Sequence, residues 1–168
     1  MQSASSFMDT SALIQTAKLI AVPIPLVLAG YSLGFSQNAV PQLYDQKAEV
    51  STPILRRIYY DGAKVMAPGG ILTFVSSAYL AYAIPAQRSI WATAVGSMVC
   101  FFLWTPLVMA PSNINRLLQI SEDKAMQEKA SANLEARQLL HKWVNQNYVR
   151  MALLLVAGVA GLRATIGS

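Results

Sequence analysis

Two residue types that carry most metal and redox chemistry are almost missing from this chain. Its 168 residues include one cysteine, Cys100, and one histidine, His141. A single cysteine excludes an internal disulfide and a CxxC redox pair. With so few nitrogen and sulfur ligands, a bis-histidine haem, a copper cluster or a structural zinc site is excluded too. No metal ligands are therefore assigned, and no cofactor is expected. Charge is also scarce: 12% of the residues are Asp, Glu, Lys or Arg, where a soluble domain carries about a quarter. Acidic residues are the rarer sign, eight against thirteen basic ones, for a net charge of +5. The basic residues are scattered through two connecting segments with Asp and Glu among them, so nucleic acid is not an expected partner. A secretory signal is not expected either, because Lys18 falls inside the first apolar stretch rather than before it.

What the chain does contain is apolar: 54% of its residues are hydrophobic, in runs of about 20, the length that crosses a bilayer. The first run, over 19–35, is "LIAVPIPLVLAGYSLGF". Pro23 and Pro25 bend or interrupt it, and Gly30 and Gly34 form a small-xxx-small pair suited to close helix contact. The second and third, over 65–86 and 90–110, are separated only by "QRS" and predict a tight antiparallel hairpin. The fourth, over 151–166, is slightly short for a span and borrows length from the polar helix before it. The length suits a single domain, 1–168, with spans at about 12–36, 65–86, 89–110 and 149–166. The fold class predicted is all-α: an integral membrane four-helix bundle, with a long helix extending beyond the membrane into the last span.

Two polar connectors remain, 37–64 and 111–148. The second holds "SEDKAMQEKASANLEARQLLHKW", good helix composition. Ser121 is its predicted N-cap, with one helix running unbroken from about 122 into the fourth span. Most Lys and Arg sit in the two connectors, which lie on one side of a four-span bundle. The positive-inside rule makes that side cytosolic.

The stretch "HKWVNQNYVR", 141–150, stands directly before the fourth span. At 100° per residue, Trp143, Asn147 and Arg150 share one helix face, while His141, Asn145 and Tyr148 share the roughly opposite one. Trp at an interface and a snorkelling Arg have a bland explanation in lipid anchoring. An Arg at membrane depth beside an Asn also fits a protein-lined site, since an amide gains nothing by facing lipid. "TPLVMAPSNINRLL" adds Asn113 and Arg116 at the exit of the third span, where Ser112 or Asn113 also reads as the cap of a new helix. "RRIYYDGAK" adds Tyr60 and Asp61, the acidic residue nearest a span, although Arg57 and Asp61 at i, i+4 also read as a simple ion pair.

These three stretches, in this order, resemble the anthrone oxygenase family, small four-helix membrane proteins of which many belong to fungal polyketide pathways. The resemblance covers about residues 12–166. Its most specific parts are Pro111-x-Asn113, and then Trp143, Asn147 and Arg150. Oxygenase members often carry His at the place of Asn147, and His141 lies on the wrong face to replace it simply. The resemblance implies a membrane-embedded oxidation of an anthrone to an anthraquinone by O2, through a substrate enolate and without cofactor. It implies Arg150, Asn147 and Asn113 as donors to the enolate oxygen, and Trp143, Tyr60 and Arg116 around a flat polycyclic aromatic substrate. Asp61 and His141 are the remaining candidates for the base. Expected partners are that substrate, O2, the lipid bilayer and a second copy packed through small-residue helix faces. A non-catalytic scaffold for other membrane proteins is the competing class; a transporter fits less well, for lack of internal repeats and of paired acidic residues in the spans. A scaffold exposes its polar stripe, whereas an enzyme closes that stripe over a cavity.

Overall fold

The computed structural model describes residues 2–167, with side chains from Thr10 onward, and every regular element among them is helical. The α-helices are α1 (Gln2–Ala21), α2 (Pro23–Gly34), α3 (Ala48–Ala83), α4 (Arg88–Trp104), α5 (Asn115–Glu122), α6 (Lys124–Ala132) and α7 (Glu135–Ile166). They build four segments long and apolar enough to cross a membrane: Thr10–Leu43, Ala48–Ala83, Pro85–Glu122 and Glu135–Ile166. The all-α membrane bundle is the observed architecture. Trp143 and the fourth span share α7, an uninterrupted helix of 32 residues.

The prolines act where the sequence places them. α1 stops at Ala21 and α2 restarts at Pro23, whose missing N–H is no loss at a helix start. Ile84 leaves the helical region (φ −122°, ψ 80°), the conformation a following proline favours, and the chain turns there into α4. The predicted hairpin between the second and third spans is present.

Three local expectations are corrected. No new helix starts at Ser112 or Asn113: α4 passes into a π-helical stretch, Thr105–Ile114, and then into α5. The wider π turns accommodate Pro106 and Pro111, which have no N–H to give and would crowd an α-helical turn. Ser121 is not a cap, since its hydroxyl donates back to the Leu118 carbonyl at 2.6 Å. Asp123 takes that role, accepting from the Met126 N–H at 3.1 Å, because a carboxylate suits the first-turn donors. The single helix from 122 is also broken at Asn133–Leu134. There the Asn133 Oδ1 accepts from the Glu135 N–H and Leu134 adopts φ 59°, so α6 and α7 are separate.

The core stacks in layers along the bundle. Ala21, Leu80, Trp91 and Ala164 pack at one end, Leu28, Met66, Met98, Phe101 and Leu154 in the middle, and Leu55, Met109, Leu117, Leu140 and Trp143 at the other. Large side chains such as Leu19, Val27, Leu107 and Val159 point outward, as a lipid-facing surface allows. Among the glycines, the tightest helix approach is not at Gly30 and Gly34, where an added Cβ meets nothing within 4 Å. It is at Gly158 of α7, where a Cβ would stand 2.5 Å from Leu26 Cδ2. Gly158→Leu therefore destabilises the bundle by about 1–3 kcal/mol, while Gly30→Leu leaves stability near wild type. Thermal unfolding in detergent reads both, and Leu26→Ala partly rescues the Gly158 variant.

Candidate active site

A cavity of about 190 Å³ with an open mouth lies between α2, α3, the end of α4 and α7. Its walls are rich in aromatic rings, with Phe101 and Phe102 from α4, Trp143 from α7 and Phe35 beyond α2. On α3 the residues facing it are Ile58, Tyr59, Gly62, Ala63, Met66 and Ala67, adjacent pairs repeating about every turn as one helix stripe.

Arg150 enters this apolar space from α7. Its Nη1 donates to Asn147 Oδ1 at 3.3 Å, and its guanidinium carbon stands 5.1 Å from the centroid of the Phe101 ring. Its Nε is buried without a hydrogen-bond partner, and no carboxylate among the described residues pairs with it. A ring face offsets part of the cost of holding a cation here, but only part. A site of this kind favours a ligand that carries or develops negative charge.

Asn147 holds that cation in place. It is 2% exposed. Its Nδ2 donates to the Ser32 carbonyl at 3.1 Å and to Ser36 Oγ at 2.8 Å, while its Oδ1 takes Arg150. Ser36 Oγ donates in turn to the Ser32 carbonyl at 2.9 Å. The chain is π-helical from Phe35 to Ala39, and this is where the first span offers α7 both a carbonyl and a hydroxyl. Both N–H bonds of Asn147 are committed, so it offers the cavity an oriented guanidinium rather than a donor of its own. Trp143, 4% exposed, forms wall, and its Nε1–H is buried without a partner.

The structure thus gathers Trp143, Asn147 and Arg150 around one cavity and places the other sequence candidates elsewhere. Asn113 is fully buried but does not line the cavity; its Nδ2 donates to Gln146 Oε1 at 2.6 Å, and Gln146 donates on to Ser112 Oγ. Asp61 is exposed and paired with Lys64 at 2.7 Å and Arg57 at 3.6 Å. Tyr60, 48% exposed, lies under Arg56 with the guanidinium 5.9 Å from its ring. Arg116 is bound by both oxygens of Glu135, at 2.6 and 3.2 Å. His141 is exposed and stacks on Tyr44 at 3.7 Å.

Sequence reasoning missed Tyr59 and Tyr31. "YY" at 59–60 puts two phenols about 100° apart on one helix, and the inner one, Tyr59, lines the cavity where the sequence alone suggests Tyr60. The spacing of Tyr59, Gly62, Ala63 and Met66 is the signal that distinguishes them. Tyr31 had none, being one aromatic in an apolar run.

A family model described as anthrone oxygenase matches residues 55–160. No curated protein and no solved structure matches the chain. The matched residues include Tyr59, Phe101, Trp143, Asn147 and Arg150, while Tyr31, Ser32 and Ser36 lie before them. With more than half of its length matched, and with four helices long and apolar enough to span a membrane, the chain belongs to the anthrone oxygenase family.

Proposed function

We propose that the chain oxidises an anthrone to an anthraquinone with O2 inside the membrane, through a substrate enolate and without a cofactor. The methylene of an anthrone lies between two aryl rings and opposite a ketone. Loss of one proton gives an electron-rich enolate that reduces O2 directly. A carbon–oxygen bond forms at the former methylene; the peroxide takes a proton, the second C–H is lost, and the O–O bond breaks with release of water. Anthrone plus O2 becomes anthraquinone plus water, and no outside reductant is needed.

The observation that carries this reading is the guanidinium of Arg150, held by Asn147 with no carboxylate partner in an aromatic cavity. A cation there stabilises the enolate oxygen more than the neutral ketone, and so acts mainly on the transition state. Trp143, Phe101 and Phe102 suit the faces of a fused tricycle. The bilayer concentrates both the hydrophobic substrate and O2. The scaffold reading is less well served, because the stripe it would show to a partner is buried: Trp143 is 4% and Asn147 2% exposed. With the basic connectors 37–64 and 111–148 taken as cytosolic, the Arg150 end of the cavity lies toward the cytosolic side of the bundle.

Turnover measurements in detergent or vesicles test these roles. Arg150→Ala lowers kcat by about 10²–10³. Arg150→Lys keeps the charge but loses the planar fork that meets Asn147, and restores only part of the rate. Asp61→Asn and His141→Ala, both outside the cavity, leave turnover near wild type. An Arg150→Ala protein that is folded and fully active sinks the oxyanion role. Asn147→Leu removes the hold on the guanidinium and both tethers to the first span, whose Ser36 hydroxyl and Ser32 carbonyl keep their bond to each other, at a cost of about 1–3 kcal/mol of stability for the two lost bonds. Its kcat falls even where the protein stays folded, whereas a purely structural Asn147 predicts a loss of stability alone.

A further inference from the structure

The enolate reaction needs a proton acceptor, and the cavity contains no His, Asp, Glu, Lys or Cys among its lining residues. Its ionisable side chains are Arg150 and two phenols, Tyr31 and Tyr59. We infer that Tyr59 is the general base of the reaction, working as a phenolate beside the Arg150 guanidinium. This inference rests on the enolate reading of the site.

The two phenols are not equivalent. Tyr31 packs on Phe35 with ring centroids 4.8 Å apart, and its hydroxyl is seated toward Gly62, where an added Cβ would lie 3.9 Å from it. Neither hydroxyl makes a hydrogen bond among the described residues, but Tyr59, half-buried, lines both the cavity and the crevice beside it, with Trp143 common to the two. The other charged or titratable groups around it are few. Tyr31 faces the cavity from α2, the end of α4 contributes only Phe101, Phe102 and Thr105, and α7 contributes Arg150. Arg56, one turn earlier on α3, shares a narrow crevice with Tyr59 and Trp143, and its own charge is met by Glu122 at 3.0 Å. Each carboxylate in this neighbourhood is thus engaged elsewhere, and the free cation stands on the cavity side.

One guanidinium then serves two anions in turn. The phenolate oxygen of Tyr59 takes a proton from the substrate methylene, and the electron pair stays in the ring system as the enolate, with its oxygen toward Arg150. O2 adds to the carbon, and Tyr59 returns its proton to the peroxide anion. Tyr59 takes the second C–H proton as the O–O bond breaks. The departing hydroxide receives that proton from Tyr59 and leaves as water, so the phenolate is restored at the end of each turnover. Negative charge moves between phenol and substrate while the cation stays put, which avoids creating a second buried charge at the step.

The test is Tyr59→Phe in the full-length protein, with Tyr59 also replaced by 3,5-difluorotyrosine, a more acidic phenol of nearly the same shape. Tyr59→Phe is expected to lower kcat by about 10²–10⁴. Its affinity for the anthraquinone product, read by quenching of tryptophan fluorescence, should stay near wild type because the ring wall remains. The fluorinated protein should keep turning over, with the rise of kcat with pH moved to lower pH. A structural role for the hydroxyl does not predict that shift. Wild-type turnover together with an active Tyr59→Phe, or a pH profile that fluorination does not move, overturns the role of Tyr59 while leaving the enolate reading standing. A wild-type protein that oxidises no anthrone sinks that reading and the base together.

Discussion

The hydrogen bonds of one carboxamide organise this molecule. Asn147 is the place where the last span is tied to the first, through Ser32 and Ser36, and where the guanidinium of Arg150 is steered into the bundle. Without that tether a long arginine at the edge of a membrane helix turns to water or headgroups, which is the cheaper place for its charge. The Phe101 ring face, 5.1 Å away, lowers the cost of the inward orientation without neutralising the charge. The result is a cation that is positioned yet unspent, and an aromatic cavity built around it.

Irregular segments of the helices stand beside this tether. A carbonyl in a regular α-helix already accepts one backbone N–H and takes a second donor on its other lone pair, as Leu153 takes Ser97 and Gln146 takes Trp104. The first span leaves the α register at Phe35, and Ser32 and Ser36 stand at that change. The third span leaves it at Thr105, directly after the aromatic wall of Phe101 and Phe102. In both spans the departure from regular geometry lies at the cavity, and elsewhere the bundle packs by ordinary means, with Gly158 and Gly161 admitting Leu26 and Trp91. Irregular backbone at membrane depth is tolerated where it faces protein, and each stretch turns one face inward, through Ser36 in the first and Met109, Asn113 and Ile114 in the second.

The four spans, the hairpin, the break at Pro23 and the continuity of α7 through Trp143 could all be read in the sequence, because each follows from apolar length or from proline geometry. The stripe of Trp143, Asn147 and Arg150 was legible for the same reason: helical periodicity alone puts the three on one face. What the stripe faces was not. Asn113 and Asp61 carry the right chemistry at suggestive places, yet one is bonded to Gln146 and the other to Lys64, and these are tertiary and local pairings that spacing does not select. Tyr59 was hidden by its neighbour Tyr60, since two adjacent tyrosines look alike until the facing helices are known. The π-helical stretch was read as a helix boundary because proline and asparagine close together are the ordinary signs of one.

The central claim is that this cavity stabilises an anionic substrate, and excluding oxygen exposes it directly. Anthrone mixed with the protein under argon at neutral pH, followed by absorption spectroscopy, should show the anthrone enolate at a pH where anthrone in empty detergent micelles stays a ketone. Admitting O2 should then convert that spectrum to anthraquinone. If bound anthrone remains wholly a ketone at every pH where it is a ketone in micelles, the cavity lends its anion no stability and the account is wrong.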